Sequence, residues 1–299
     1  MTRAVGAGLR MIEALSPQAA GRLAFELWRR PLRRGKVRAT EQAVHAAARV
    51  EVVDGVVTYA WGDGTKPVLL VHGWRSRASR FAAFVERLVE LGYSPVSYDA
   101  PGHGDTPGRA GTILDHERII QRLGSRYGAF EGVIAHSMGV PFVLYALRDD
   151  KLTAERVVVI SGFAEFSYLA DAFCRALGLG ARTNQALRRQ VERKLFAGDP
   201  EIWTKFSIVP GRSELLSIHN DEDDVVDPAQ APVLLASYGP KARFRQTNGL
   251  GHRRIMVDPT VVAEAITFLT ASEEPSAPGH GSSDATEGSD VAERLDLGA

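Results

Sequence analysis

Between a short apolar run and a longer amphipathic one, the stretch GVIAHSMGVPFVLYAL (Gly132 to Leu147) carries a single serine. Ser137 has Ala135 two places before it and Gly139 two places after it. A nucleophile held on a sharp strand-to-helix elbow needs small residues at those two places, because strand and helix approach each other closely there. The usual pattern is G-x-S-x-G, and Ala135 departs from it by one methyl group. A serine hydroxyl also needs a base to take its proton, and the base needs an acid that fixes its tautomer and stabilises its positive form. Only His252 and His280 lie far enough downstream to follow a later strand-end acid. His280 sits in a low-complexity tail, whereas His252, in NGLGHRR, stands on a glycine-flanked loop after a predicted strand. The chemistry these residues could perform is nucleophilic attack on an acyl carbonyl.

Such residues must be carried to one place by regular elements. PVLLVHGW, PVSYDAPGHG, GVIAHS, RVVVIS, ELLSIH and ARFRQT each read as a strand, and RFAAFVERLVELGY, GTILDHERIIQRLGSRYG and VDPTVVAEAITFL as helices. Strands alternating with helices predict an α/β fold, with a mostly parallel central sheet covered by helices on both faces. Sheets of that kind place their chemistry at the carboxyl ends of the strands. Ser137 and His252 both follow such ends.

Composition narrows the remaining possibilities. The 299 residues carry 36 Lys plus Arg and 36 Asp plus Glu, so no overall charge points to nucleic acid. The single cysteine, Cys174, cannot form an internal disulfide and reads as a small buried apolar group in a cytoplasmic protein. Neither a phosphate-binding glycine loop nor a metal-ligand cluster is evident, and no cofactor is expected. Residues 1–49 form a basic helical arm: Val5, Leu9, Ile12 and Leu15 recur at helical spacing, and Arg22, Arg29, Arg30, Arg33, Arg34, Lys36 and Arg38 then face a lone Glu26. That arm either packs on the main domain or makes weak contact with an anionic membrane surface. Residues 272–299, rich in Ser, Gly, Pro and acids, are expected to be disordered.

From about Val50 to Leu269 the chain resembles the α/β-hydrolase superfamily. It carries VHGW, DAPGHGDTPG, AHSMG, IHNDEDDVVDP and GLGHRRI in that superfamily's order. The resemblance implies an α/β-hydrolase domain over residues 50–271, with Ser137 as nucleophile, Asp223 as acid and His252 as base. IHNDEDDVVDP is similar to the phrase H-G-x-x-D-x-x-V-P, with Asn220 for Gly and Asp227 for Pro, and this register selects Asp223 from a cluster that also offers Asp221, Glu222 and Asp224. The same resemblance makes the backbone N–H groups of Trp74 and Met138 the oxyanion hole, while His72, Gly73, His103 and His136 shape turns. It also makes residues 163–207, rich in apolar side chains from Phe163 to Trp203, a small helical cap over the site, whose apolar side chains either face the substrate or anchor the insertion to the core.

The implied activity is that of a cofactor-independent serine esterase acting on an apolar small-molecule ester through an acyl-enzyme. The same triad serves thioesters, carbon–carbon bonds and acyl transfer. A non-catalytic ligand-binding module on the same scaffold is the alternative from a different class.

Overall fold

The runs Pro67–Val71, Ser94–Tyr98 and Gly132–His136 are buried along their whole length, and Arg156–Ile160 after its first residue. Continuous burial of this kind belongs to central strands covered on both faces. The structure, a computed structural model, describes residues 2–31 and 34–271. The tail expected to be disordered from Ser272 lies outside those residues. In chain order the strands are β1 (Arg49–Val53), β2 (Val56–Ala60), β3 (Pro67–Val71), β4 (Ser94–Tyr98), β5 (Gly132–His136), β6 (Arg156–Ile160), β7 (Glu214–Asn220) and β8 (Ala242–Thr247). They form one sheet in the order β1-β2-β4-β3-β5-β6-β7-β8, parallel from β4 to β8.

The hairpin β1–β2 is antiparallel and was not among the expected strands. Asp54 and Gly55 turn it with φ of 51° and 81°, the positive pair that a two-residue hairpin requires. Its first strand lies at the sheet edge with Val50 and Val52 exposed, so burial alternates weakly there and the signal in sequence is faint.

Helices α1 (Thr2–Leu15), α2 (Pro17–Trp28) and α3 (Gln42–Ala46) precede the sheet. Helices α4 (Ala82–Glu90), α5 (Ile113–Tyr127) and α6 (Gly139–Arg148) connect its central strands. Between β6 and β7 the chain forms α7 (Tyr168–Leu177), α8 (Ala181–Leu195) and α9 (Ile202–Lys205). The last helices are α10 (Gln230–Tyr238), α11 (Gly251–Arg254) and α12 (Pro259–Thr270). None of the helices among the described residues is long and apolar enough to cross a membrane.

Because side chains alternate along a strand, Leu69, Val71, Val133 and Ala135 face one core, while Val68, Leu70, Ile134 and Val158 face the other. The second core is closed by Phe84, Val85 and Leu88 of α4 with Val261, Ala265 and Ile266 of α12. The first is closed by α5 and α6 and runs on into α7 and α8.

The N-terminal helices pack on that insertion. A Cβ on Gly21 of α2 would stand 2.4 Å from the Ala186 Cβ of α8, so only glycine admits this approach. The Arg10 guanidinium donates to the Leu177 carbonyl at 2.8 Å, and Glu13 accepts the Gly180 N–H at 2.8 Å. The arm is a two-helix hairpin seated on α7 and α8.

Candidate active site

The register of β3 on β5 pairs Val71 with Ala135, which brings the residues after both strands side by side at the sheet's carboxyl edge. Ala135 is still inside the strand, bonded on one side to β3 and on the other to β6, where a methyl group fits the core. Ser137 then takes φ 55°, a left-handed conformation that non-glycine residues rarely adopt. Its N–H is held by the Ile160 carbonyl at 2.9 Å, and its own carbonyl accepts from Val140 at 3.0 Å as α6 begins. Two glycines make this turn possible. A Cβ on Gly139 would lie 2.3 Å from the Val71 carbonyl oxygen, and one on Gly73 would lie 2.7 Å from the Ser137 Cβ. The loop after β3 therefore runs directly against the serine. The N–H groups of Trp74 and Met138 have no hydrogen-bond partner among the described residues.

The pairing of Asn220 with Thr247 joins the carboxyl ends of β7 and β8 in the same way. Beyond them, Asp223 Oδ2 accepts from His252 Nδ1 at 2.8 Å. Its other oxygen, Oδ1, accepts the N–H groups of Val225 and Val226, both at 2.9 Å. Burial alone would raise the Asp223 pKa, but the hydrogen bond and charge of His252 and the two backbone donors outweigh it and bring it down to about 2. Asp221, Glu222 and Asp224 are exposed, as is Glu165 after β6.

Asn220, which stands where glycine was expected, has a positioning role that its sequence context did not reveal. Its Oδ1 accepts from Glu222 at 3.0 Å and from Gly251 at 2.8 Å, so one buried amide clamps the carboxylate loop to the histidine loop. His252 itself differs from expectation in one respect. It does not stand on an open loop but within the single turn of α11, buried, with its carbonyl facing His136 Nε2 at 3.1 Å.

Of the other histidines, His72, His103, His116, His136 and His219 are buried. His72 donates through Nδ1 to the Gly73 carbonyl and accepts the Ala100 N–H, which fixes its tautomer. His116 bonds the Tyr98 hydroxyl at 2.8 Å and stacks on Phe142. Burial is the first cause of lowered pKa at His72, at His116, at His103 (to about 4) and at His136 (to about 3). Below about pH 6.5 the unfolded chain binds protons at these rings while the folded chain keeps them neutral. Stability is therefore complete above that pH and is lost as pH falls from it toward the folded values. The melting temperature is expected to drop by more than about 5 °C between about pH 7 and about pH 4.5. Scanning calorimetry at constant ionic strength measures this, and a flat profile contradicts it.

Ser137, Trp74 and Met138 open onto a cavity of about 390 Å³. Of the apolar residues expected to form the cap, Phe163, Tyr168, Leu169, Phe173 and Leu177 line it. Phe166 instead meets Phe196 and Phe206 edge-on and the tilted ring of Trp203 in the core behind it. The same cavity is lined from the other side by Val5 of α1 and by Leu27 and Trp28 of α2. Nothing in the sequence signals this second wall directly. The helical spacing of Val5, Leu9 and Ile12 indicates a buried face, but not what the face covers. Among the described residues, Arg30 and Arg75 are the only charged ones lining the cavity.

The model of the alpha/beta hydrolase family matches residues 68–265. No curated protein matches the sequence significantly. Among solved structures, alpha/beta hydrolase domain-containing protein 10 from mouse is similar at 15% identity and TM-score 0.56, covering 73% of this chain and 96% of that one. A putative lipase from Acinetobacter baumannii AYE gives 14% identity and TM-score 0.55, with 79% of this chain and 97% of that one covered. A monoacylglycerol lipase from Paleococcus ferrophilus gives 20% and 0.53, with 72% and 98% covered. At such identities the structures speak to the fold alone. The family match begins one residue into β3, so the N-terminal hairpin lies outside it, whereas the elbow of Ser137 and the loops of Asp223 and His252 lie within it. With two thirds of its length matched by the family model, this chain belongs to the alpha/beta hydrolase family.

Proposed function

We propose that the protein is a serine hydrolase that cleaves carboxylic esters of apolar small molecules through an acyl-enzyme. The observation that carries this reading is the hydrogen bond from His252 Nδ1 to the buried Asp223 carboxylate, at the sheet edge where Ser137 forms an elbow. Asp223 holds the imidazole in the tautomer that leaves Nε2 free to accept a proton. Ser137 Oγ attacks the carbonyl carbon as its proton passes to His252 Nε2. The carbonyl oxygen becomes an oxyanion, for which the free N–H groups of Trp74 and Met138 are suited, and fixed donors of this kind lower the barrier by several kcal/mol. Collapse expels the alcohol, which takes the proton from Nε2. Water, activated by the same imidazole, then attacks the acyl-serine, and the acid and the free serine are released.

A fluorophosphonate probe tests the nucleophile. Stoichiometric labelling, with the adduct mapped by peptide mass to Ser137, is expected. A folded protein that takes up no label and hydrolyses no activated ester is instead a ligand-binding module.

The apolar lining favours an apolar acyl group, each buried methylene contributing up to roughly 0.8 kcal/mol. Trp28 is the largest side chain that the N-terminal hairpin places on the cavity wall. Trp28→Ala is therefore expected to move the preferred acyl chain to greater length while lowering kcat/KM for short chains by roughly tenfold. A series of p-nitrophenyl esters reads this out, and an unchanged chain-length profile removes Trp28 from the acyl site.

A further inference from the structure

Helix α1 is apolar on two faces, and only one of them is covered. Leu9 is buried and Val5 and Ile12 are half-buried on the side that packs against the rest of the protein. On the opposite side Ala4, Ala7, Gly8, Met11, Ala14 and Leu15 are all exposed, Met11 at 73% and Leu15 at 89%. At 100° per residue these six positions fall within about a third of the helix circumference, with no charged side chain among them. Leu23 of α2 is exposed as well, at 46%.

Around this stripe the charge is one-sided. Between Arg3 and Arg38 the sequence carries nine basic residues against Glu13 and Glu26, in a chain whose net charge is zero. Arg10, whose guanidinium also donates to the Leu177 carbonyl, borders the stripe on α1, Arg22 is exposed on α2, and Arg30 is exposed just past the end of α2, paired with Glu26. Glu13 and Glu26 are each already engaged, by the Gly180 N–H and by Arg30. An uncovered apolar strip flanked by arginines is the pattern of a helix that lies in the interface of an anionic bilayer, apolar side in the acyl boundary and guanidinium groups among the phosphates.

A second copy of the chain is the competing occupant. The 14 residues of α1 span about 21 Å, so the strip offers on the order of 200 Å², against the roughly 800 Å² per partner that a stable dimer buries. Pairing two such hairpins would also bring like charges together.

We propose that the α1–α2 hairpin is a docking surface for anionic lipid. Because the inner side of the same hairpin lines the cavity through Val5, Leu27 and Trp28, docking brings that cavity close to the bilayer. The docking itself does not rest on the hydrolase reading, and its readout is binding, so either can fail without the other.

The test is flotation of the full chain with vesicles of phosphatidylcholine alone and with about 30 mol% phosphatidylglycerol. Binding to the anionic vesicles only is expected, and it should weaken as salt is raised. Met11→Glu combined with Leu15→Glu should lower that binding by at least about tenfold while leaving circular dichroism and turnover of a soluble short-chain ester unchanged. Arg22→Glu should weaken it too, by a smaller factor. Equal binding to neutral vesicles, no flotation of the wild type, or a double variant that floats like the wild type each overturns the proposal. A wild-type dimer in light scattering that the double variant converts to monomer, without flotation, assigns the strip to a second copy instead.

Discussion

Ser137→Ala will be folded, will take up no fluorophosphonate, and will lose turnover by a factor on the order of 10⁶, the loss seen when the nucleophile of a serine protease is removed. Folding should survive because the elbow is held by backbone contacts that alanine keeps: the N–H to the Ile160 carbonyl and the carbonyl to the Val140 N–H. Alanine at φ 55° is strained to much the same degree as serine. Activity should not survive, because the oxygen that forms the covalent bond is gone. A residual acceleration over water is still expected if the Trp74 and Met138 N–H groups polarise the carbonyl and the cavity orients the ester. Initial rates on a p-nitrophenyl ester, with thermal melts alongside, make the comparison. Wild-type turnover in the alanine variant would move the chemistry away from this serine altogether.

Asp223→Asn will cost on the order of 10⁴ in turnover, by presenting the imidazole with an amide that favours the wrong tautomer. The geometry gives reasons to expect this at Asp223 and nowhere else in its loop. Its carboxylate is buried, one oxygen on His252 and the other on two backbone N–H groups. Asp221, Glu222 and Asp224 are exposed, where water and salt screen their charge. Asp221→Asn, Glu222→Gln and Asp224→Asn should therefore each cost less than about tenfold. All four variants belong in one assay, with folding checked. A crippled Asp224→Asn beside an active Asp223→Asn would assign the acid to the neighbouring residue.

Much of the site could be read from sequence because Trp74, Ser137 and Asp223 follow strands that announce themselves by continuous or near-continuous burial. Runs such as PVLLV of β3 and the VVVI that follows Arg156 in β6 are apolar throughout, which only a strand covered on both faces tolerates in a chain this polar overall. Glycine marks the turns beyond them, as at Gly73 and Gly139, where the structure leaves no room for a Cβ. The first hairpin was harder to see, since an edge strand with Val50 and Val52 in solvent has no buried face to set a period. The double role of α1 and α2 was harder still. Helical spacing reveals that a face is buried, not that it roofs a cavity.

The sequence by itself determined the α/β alternation, the elbow and the order of serine, acid cluster and histidine, because these depend on local periodicity and on where small residues permit a turn. Tertiary structure decided which of four neighbouring acids is buried against His252, since burial depends on what packs over a loop. It decided that Asn220 clamps two loops far apart in sequence, because a side-chain amide acquires partners only when β7 and β8 are paired. It also decided that an N-terminal hairpin forms one wall of the cavity, through a glycine contact between α2 and α8 that no spacing within either helix foretells.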